Sequence, residues 1–555
     1  MSDYQHPYLL KRLERLNAIG VALSAERDNR RLLEMILLGA QQITNADGGT
    51  IYIMHEDNKH LKFEIMRNNT LELASGGTTG QDVPSEFENA LPLYHEGNLE
   101  RPNLTTVATY AALKKTAVNI ADAYTAENFD FSGTREFDEK TGYRSQSFLT
   151  IPMTNHESDV IGVLQLINAV DIDSGQVIPF SYANQSLVES LASQAAVAMT
   201  NQNLIDDFKE LFEAFIELIA DAIDQKSPYT GGHCRRVPEL TMMLAQAAID
   251  DSSGPFKDFT LNENELFELK VASWLHDCGK ITTPEAVMDK PTKLSSIFDR
   301  IALIDQRFDL VKQQAENAML KEQLALLQSN NNSTINIEAV FQKMHLELQL
   351  FQKQCDLDRE FLRSSNIGGE SMTEADQARV REIGSREFVG ADGQSARFLS
   401  DDELYNLSIV RGTLTAEERW IINNHINVTI TMLDSLPYPR SLSRVPEYAC
   451  GHHERMDGTG YPRGLKREEM SVPARIMGIA DIFEALTSKD RPYKKAKTLT
   501  ESLEILGRMK VNHHIDPDLF DVFIREKIYL KYAEKFLEPE QIDEVDHSNI
   551  PGYIL

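Results

Sequence analysis

His452-His453-Glu454-Arg455-Met456-Asp457-Gly458-Thr459-Gly460-Tyr461-Pro462 decides how the C-terminal half of this chain reads. Imidazole together with carboxylate suits borderline transition metals, iron and manganese included. The glycines supply backbone angles that other residues resist, and the proline stiffens the turn. The stretch therefore reads as a metal-binding doublet followed by a shaped loop. Upstream, His276-Asp277 ends an apolar helix, Val271-Ala272-Ser273-Trp274-Leu275. An adjacent His-Asp pair can serve two ions, because the carboxylate can bridge while the imidazole binds one. Two ions about 4 Å apart activate a nucleophile and neutralise a phosphoryl oxygen. His425 lies in a helix opened by Thr415-x-x-Glu418, a capping box. Asp481 sits in the apolar run Ile476 to Phe483, where an unpaired carboxylate is costly and a metal is one solution. The ligand candidates are His233, His276, Asp277, His425, His452, His453 and Asp481. Any one of these histidines, taken alone, reads more readily as structural or solvated. The doublet with Glu-x-x-Asp-Gly-x-Gly-Tyr-Pro behind it is far harder to obtain by chance.

The whole chain bounds what this site can belong to. Its 555 residues exceed one hydrophobic core, so two or three domains are expected. A hydrophobic share of 42% is that of a soluble globular protein. The formal charge is −29, from 56 basic and 85 acidic residues. Such a surface repels nucleic acid and anionic lipid, and neither is expected as a partner. An anionic substrate would need positive charge supplied locally, which bound metal ions do well. The longest apolar run, near Val160–Val170, is broken by Gln165 and Asn168 and is too short to span a bilayer. The N-terminus lacks a signal-peptide pattern, so the expected location is cytoplasmic. The four cysteines, at 234, 278, 355 and 450, form no Cys-x-x-Cys pair, which argues against a disulfide framework or a zinc ribbon.

Residues 1–24 read as an N-terminal helix. In the following segment Leu33, Ile36, Leu37, Ala40 and Ile43 fall at helical spacing. Thr50–Met54 and Leu61–Met66 alternate apolar and polar residues around a turn, as do Ser147–Met153 and Val160–Asn168. Residues 25–181 are therefore expected to form an α+β domain, an antiparallel sheet with flanking helices. A long linker helix follows over 182–225. Leu191, Ala198, Ile205, Phe212 and Ile219 lie seven apart, with Leu187, Phe208, Phe215 and Ala222 at companion positions. This heptad seam fits a parallel homodimer, or alternatively packing on the chain's own domains. Residues 226–555 read as nearly all helix. Within them two amphipathic helices, about Ile297–Gln328 and Ile335–Leu362, flank the polar turn Ser329–Thr334 as an antiparallel hairpin. A looser segment with Gly368-Gly369 and Gly390-Ala391-Asp392-Gly393 comes after it.

In the order of its motifs, segment 226–535 resembles the HD-GYP family of HD phosphohydrolases. The matching residues are Tyr229-Thr230-Gly231-Gly232-His233-Cys234-Arg235-Arg236-Val237 and His276-Asp277-Cys278-Gly279-Lys280-Ile281. Then come Lys290-Pro291, Leu414-Thr415-x-Glu417-Glu418, the His452–Pro462 signature, Pro473-Ala474-Arg475-Ile476, Asp481 and Asp490-Arg491-Pro492-Tyr493. The resemblance implies an all-α bundle holding two divalent metal ions, iron or manganese, and hydrolysis of cyclic di-GMP to the linear dinucleotide or GMP. It implies that the seven candidates are ligands, that Asp277 bridges and is catalytic, and that Lys280 contacts a phosphate or the nucleophile. It implies that Arg491 and Lys494 face substrate phosphates; a solvated basic turn is the alternative. Glu454 is left as either a partner for a ligand histidine or a surface carboxylate. The His513-His514 doublet before Asp516-Pro517 reads as part of a helix cap. Some members carry a Glu where this chain has Tyr229, which points to two metals rather than three. In the family the corresponding connection is short, so residues 295–412 read as an insertion.

The N-terminal pattern resembles a GAF domain of the kind found in cyclic-nucleotide phosphodiesterases. It rests on Val118-Asn119-Ile120-x-Asp122-Ala123-Tyr124, Thr141-Gly142-Tyr143-Arg144-Ser145 and Ile161-Gly162-Val163-Leu164-Gln165-Leu166-Ile167-Asn168. This implies a sensor for a small ligand, a cyclic nucleotide being one candidate, or a ligandless dimerisation module. Asp122, Thr141 and Arg144 are candidates to reach a ligand. The combined expectation is a sensor-regulated, metal-dependent cyclic dinucleotide phosphodiesterase. Cyclic GMP-AMP or another phosphoester is the alternative substrate, and a non-catalytic binding protein is a third reading.

Overall fold

The computed structural model describes residues 5–55, 57–79, 81, 90–95, 99, 101–226, 232–252, 254–329, 336–369, 371–390, 393–489 and 496–554, with the side chains of 5–11 excepted. The chain divides into two compact units, Met1–Leu211 and Phe212–Leu555.

The first unit begins with helices α1 (Gln5–Ala25) and α2 (Asn29–Thr44). Asp28 caps α2 by accepting the backbone N–H of Arg31 at 3.0 Å. Strands β1 (Ala46–Met54), β2 (His60–Asn68), β3 (Leu73–Gly76) and β4 (Leu91–Pro92) follow. Next are α3 (Val107–Lys114), β5 (Val118–Ile120), α4 (Ser132–Thr141), β6 (Phe148–Thr154), β7 (Val160–Val170) and β8 (Val177–Ile178). The sheet runs β3-β2-β1-β7-β6-β5, with β4 against β2 and β8 against β7, and every pairing is antiparallel. Register is fixed by alternation. Ile51, Leu164 and Leu166 enter one core with α2 residues Leu33, Ile36, Leu37, Ala40 and Ile43. Their neighbours Tyr52 and Val163 enter a second core, on the opposite face, with Phe148 and the α3 alanines. The expected α+β layout is the observed one.

Helix α5 (Tyr182–Lys226) is continuous over 45 residues. Its early residues Leu187, Val188, Leu191, Ala192 and Ala195 are buried in the first unit's core. Leu187 and Leu191 are therefore not free to form an intermolecular seam, which corrects the heptad reading at its start. Farther along, Leu204, Phe208, Leu211, Phe215 and Leu218 are each more than half exposed. They repeat at four-three spacing, so the exposed apolar stripe starts about two heptads later than the sequence pattern. Ile216, Ala220 and Ile223 of the same helix are buried in the second unit.

In the second unit, α6 (His233–Ile249), α7 (Glu263–Leu275) and α8 (Glu285–Met288) precede the insertion. The insertion contains α9 (Ile301–Ser329), α10 (Ile337–Asn366), α11 (Glu374–Ser385), a two-stranded β9 (Glu387–Val389)–β10 (Ser395–Arg397) hairpin and α12 (Asp401–Leu407). Antiparallel packing of α9 and α10 is pinned by Arg363–Asp305 at 3.0 Å and by the Lys312–Asp356 pair. The segment expected to be loose is thus ordered into α11, a hairpin and α12. Leu294, Ile304, Phe308, Leu362, Val380, Ile383, Phe398 and Leu407 form a core of their own. Most of the expected polar turn, Asn330–Thr334, lies outside the described residues. Then come α13 (Ala416–Asn423), α14 (His425–Asp434), α15 (Val445–Cys450), α16 (Val472–Thr487), α17 (Leu499–Val511), α18 (Pro517–Arg525) and α19 (Ile528–Phe536). One continuous apolar core joins α6, α7 and α14–α19. All four cysteines are buried and free. Among the described residues no helix is long and apolar enough to cross a membrane.

Candidate metal centre

Three of the histidines are placed by the same local device. The last carbonyls of a helix have no partner within it. His276, just past α7, directs Nδ1 to the Ser273 carbonyl at 2.7 Å. His425, just past α13, directs Nδ1 to the Ile422 carbonyl at 2.6 Å. His452, just past α15, does the same to the Ala449 carbonyl. Each Nδ1–H donates to a helix-end oxygen, so each Nε2 is left as a lone-pair donor pointing inward. His233 opens α6 and is oriented differently, with Nδ1 against the Glu484 carboxylate.

The inward atoms converge in two groups that share one residue. Asp277, His425, His452 and His453 form one group, and His233, His276, Asp277 and Asp481 the other; within each group the ligand atoms lie within 4.8 Å of one another. Asp277 Oδ2 is 3.2 Å from His233 Nε2 and 3.3 Å from His276 Nε2, while Oδ1 is 3.1 Å from His425 Nε2. His233 Nε2 lies 3.4 Å from Asp481 Oδ1, and His453 Nε2 lies 3.2 Å from His425 Nε2. The two oxygens of a single carboxylate therefore face two different nitrogen sets. His233, His276, Asp277, His425 and His452 are all at most 8% exposed.

The donor set fits metal. His233 Nε2, His276 Nε2, His452 Nε2 and Asp277 Oδ1 are buried without a hydrogen-bond partner. Orphaned buried polar atoms are expensive, and four of them aimed at two points are what a cation pair would satisfy. Electrostatics agree. Burial, with His276 close by, pushes His452 down to about 4, so it is neutral at pH 7 as a ligand must be. His453 is likewise held well below its ordinary range by burial and its histidine neighbours. Burial opposes ionisation of Asp277, but the Lys280 ammonium and the neighbouring histidines outweigh it and hold the carboxylate ionised. Lys280 Nζ contacts Asp277 Oδ2, and the Asp277 and Asp481 charges keep it protonated against burial.

Glu484 went unnoticed in the sequence. It follows Asp481 by three residues, on the same face of α16, and is another carboxylate in an apolar run. The argument that singled out Asp481 applied to it equally. Its Oε1 accepts from Arg236 Nε at 2.7 Å and its Oε2 meets His233. Burial pushes its pKa up, but the His233 and Arg236 charges prevail and bring it to about 2.

Glu454 matches neither sequence reading. It is 3% exposed and accepts the backbone N–H groups of Arg463 at 2.7 Å and Leu465 at 2.9 Å, so it ties down the loop after the doublet. Tyr461 stacks on His453, with centroids 4.8 Å apart and an interplanar angle of 25°. Gly460 lies so close to the chain that an added Cβ would sit 2.4 Å from the Arg455 nitrogen. Asp516 caps α18 and pairs with Arg467 and Arg475, and His513-His514 lies outside both ligand groups. Tyr229, Arg491 and Lys494 lie outside the described residues.

The first unit holds a cavity of about 490 Å³ lined by Tyr52, Phe63, Phe131, Phe137, Phe148 and Gln165 among others. Tyr52 donates to Gln165 Oε1 at 3.2 Å, and Gln165 Nε2 donates to Thr150 at 3.0 Å. Asp122, Thr141 and Arg144 do not line it. Asp122 accepts the Tyr124 N–H, Thr141 donates to the Phe137 carbonyl, and the Arg144 guanidinium lies 4.5 Å from the Tyr124 ring centroid. They hold turns instead.

Residues 28–199 match the GAF domain family and residues 400–519 the HD domain family. The chain thus carries an N-terminal GAF domain and a C-terminal helical HD domain. The HD match includes His425, His452, His453 and Asp481; His233, His276 and Asp277 lie before it. The chain is similar to 3'3'-cGAMP-specific phosphodiesterase 1 of Vibrio cholerae, 45% identical over 83 residues, covering 15% of this chain and 19% of that protein. It is also similar to a cyclic di-GMP phosphodiesterase of Pseudomonas aeruginosa, 37% identical over 114 residues, covering 20% and 26%. These matches span about a quarter or less of each relative's length. A solved GAF domain, from Acinetobacter phosphoenolpyruvate-protein phosphotransferase, aligns with 36% of this chain and 98% of its own at 17% identity and a TM-score of 0.26.

Proposed function

We propose that the second unit is a two-metal phosphodiesterase acting on cyclic di-GMP, regulated by the GAF domain. The observation that carries this reading is Asp277, whose two oxygens face two separate histidine sets with four buried atoms left unpartnered. Asp277, His425, His452 and His453 would hold one ion, and His233, His276, Asp277 and Asp481 the other. When bound, two divalent ions, iron or manganese, would activate water and neutralise a phosphoryl oxygen. The protein's own groups do the rest. Helix-end carbonyls and Glu484 keep the imidazoles in the Nε2-donating form. Lys280 carries its proton beside Asp277 and would give it to the departing ribose oxygen or contact a phosphate. Tyr461 and the loop tied by Glu454 wall the entrance. Arg491 and Lys494 are proposed to face the substrate phosphates.

The test is to incubate anaerobically purified, metal-loaded protein with a panel of cyclic dinucleotides and identify the products. Asp277→Ala should abolish turnover and strip metal; normal turnover in that variant refutes the reading. Preference for 3'3'-cyclic GMP-AMP is the second reading, favoured by the name of the relative that is 45% identical over 83 residues. The GAF cavity is proposed to take a small planar ligand, a cyclic nucleotide among the candidates, between its aromatic walls. The exposed α5 stripe is proposed as the seam of a parallel homodimer. The location is proposed to be cytoplasmic.

A further inference from the structure

We infer that a groove between α12 and α13 binds a nucleoside monophosphate, apart from the metal centre. The groove is open to solvent, has a volume of about 500 Å³ and is lined by Tyr405, Val410, Arg411, Arg419, Trp420 and Asn423 among others. None of the seven clustered side chains lines it. Ligand pockets for small molecules start at about 300 Å³, so a mononucleotide fits.

Three features define the ligand's chemistry. First, Trp420 is 66% exposed and Tyr405 48% exposed. Two large aromatic faces left in water at the rim of one groove offer a platform for stacking a planar base. Second, the groove holds two guanidinium groups. Arg419 Nη2 donates to the Arg411 carbonyl at 3.3 Å, which orients it and leaves its remaining donors open. Arg411 and Arg419 form no ion pair among the described residues. Of the nearby carboxylates, Glu418 holds Lys290 at 2.8 Å, and Glu417 stands at the Tyr405 edge of the groove, accepting from the Tyr405 hydroxyl at 3.0 Å. Third, the chain carries a net charge of −29, so any anion it binds needs positive charge supplied locally. Two unpaired arginines with planar, forked donors match a phosphate, and the same groups stack on aromatic rings. Aromatic platform plus paired guanidiniums selects an aromatic anion, and a nucleotide is that class. The stretch 295–412 supplies one wall through α12 and the residues after it.

The experiment uses full-length, metal-free protein, so it reads binding without depending on the phosphodiesterase reading. The chain has two tryptophans, and Trp420 is the exposed one. GMP is titrated while tryptophan emission is followed, with guanosine and inorganic phosphate as separate probes. Saturable quenching by GMP is expected, at least tenfold tighter than with either probe alone. Arg411→Gln with Arg419→Gln should weaken GMP at least tenfold at unchanged melting temperature. Trp420→Phe should remove the optical signal while equilibrium dialysis still detects weakened binding. Equal GMP affinity in the double arginine variant would overturn the inference. So would the absence of saturable GMP binding by dialysis, or sedimentation showing that Trp420→Glu dissociates a self-associated form that binds no nucleotide.

Discussion

Glu484→Gln isolates the contribution of a buried carboxylate that lies outside both ligand groups. In the native protein the Glu484 side chain is 1% exposed, with one oxygen against His233 Nδ1 and the other accepting from Arg236 at 2.7 Å. A glutamine keeps the shape, removes the charge and can present only one acceptor. His233 then loses the partner that fixes its ring and raises its basicity, and the Arg236 guanidinium faces a neutral amide. Removing such an outer partner of a metal-ligating histidine costs roughly 10–100-fold in affinity, about 1.4–2.7 kcal/mol. The assay is metal content by mass spectrometry during competition with a graded chelator. The pH dependence of the metal-free protein adds a second readout. The His233 pKa is raised from 6.5 to about 10, because the Glu484 and Asp277 charges outweigh burial. Its stabilisation is complete below pH 6.5 and is lost as pH rises through about 10. The Glu484 pKa is lowered from 4.5 to about 2, so its stabilisation is present above pH 4.5 and is lost as pH falls through about 2. The pair should therefore give a metal-free stability maximum between about pH 4.5 and 6.5, flattened in Glu484→Gln. Equal metal retention in variant and parent, with superimposable stability profiles, would sink the reasoning.

Further outcomes are expected. Gly279→Ala places a Cβ 2.1 Å from the His425 carbonyl oxygen and 2.6 Å from the Thr429 nitrogen, so backbone must move. A loss of about 1–3 kcal/mol is expected by chemical denaturation, together with lower metal retention; an unchanged midpoint would contradict the close approach. Lys280→Gln should lower kcat by about 10²–10⁴ with KM and metal content little changed, if its proton serves the leaving group; a change in KM alone would reassign it to binding. Leu211→Glu with Phe215→Glu should convert a dimer to monomer in sedimentation velocity, since both positions are more than half exposed on α5. A dimer that survives both charges would place the interface elsewhere.

Much of this protein is written in short-range pattern. The alternation in Thr50–Met54 and Val160–Asn168 specifies strands with two buried faces, because side chains in a strand alternate sides. The helical spacing from Leu33 to Ile43 specifies the buried face of α2. All seven candidate ligands, spread from residue 233 to 481, could be named from residue type and motif order, and they lie together. Other features depended on contacts between distant segments, which periodicity does not encode. Only the fold aims the two oxygens of Asp277 at separate histidine sets. It also uses three helix-end carbonyls to set imidazole orientation, and brings Glu484 to His233 across 251 positions. It turns Glu454 onto the loop backbone rather than onto a ligand. The same holds for α5. Heptad spacing identifies an apolar stripe, but burial of Leu187 and Leu191 in the first unit, with exposure from Leu204 onward, decides which part is open to a partner. The loop beginning at His452 is legible as chemistry because its residue types are rare in that order. Its place beside Asp277 and His425 is set by the bundle that brings those residues to it.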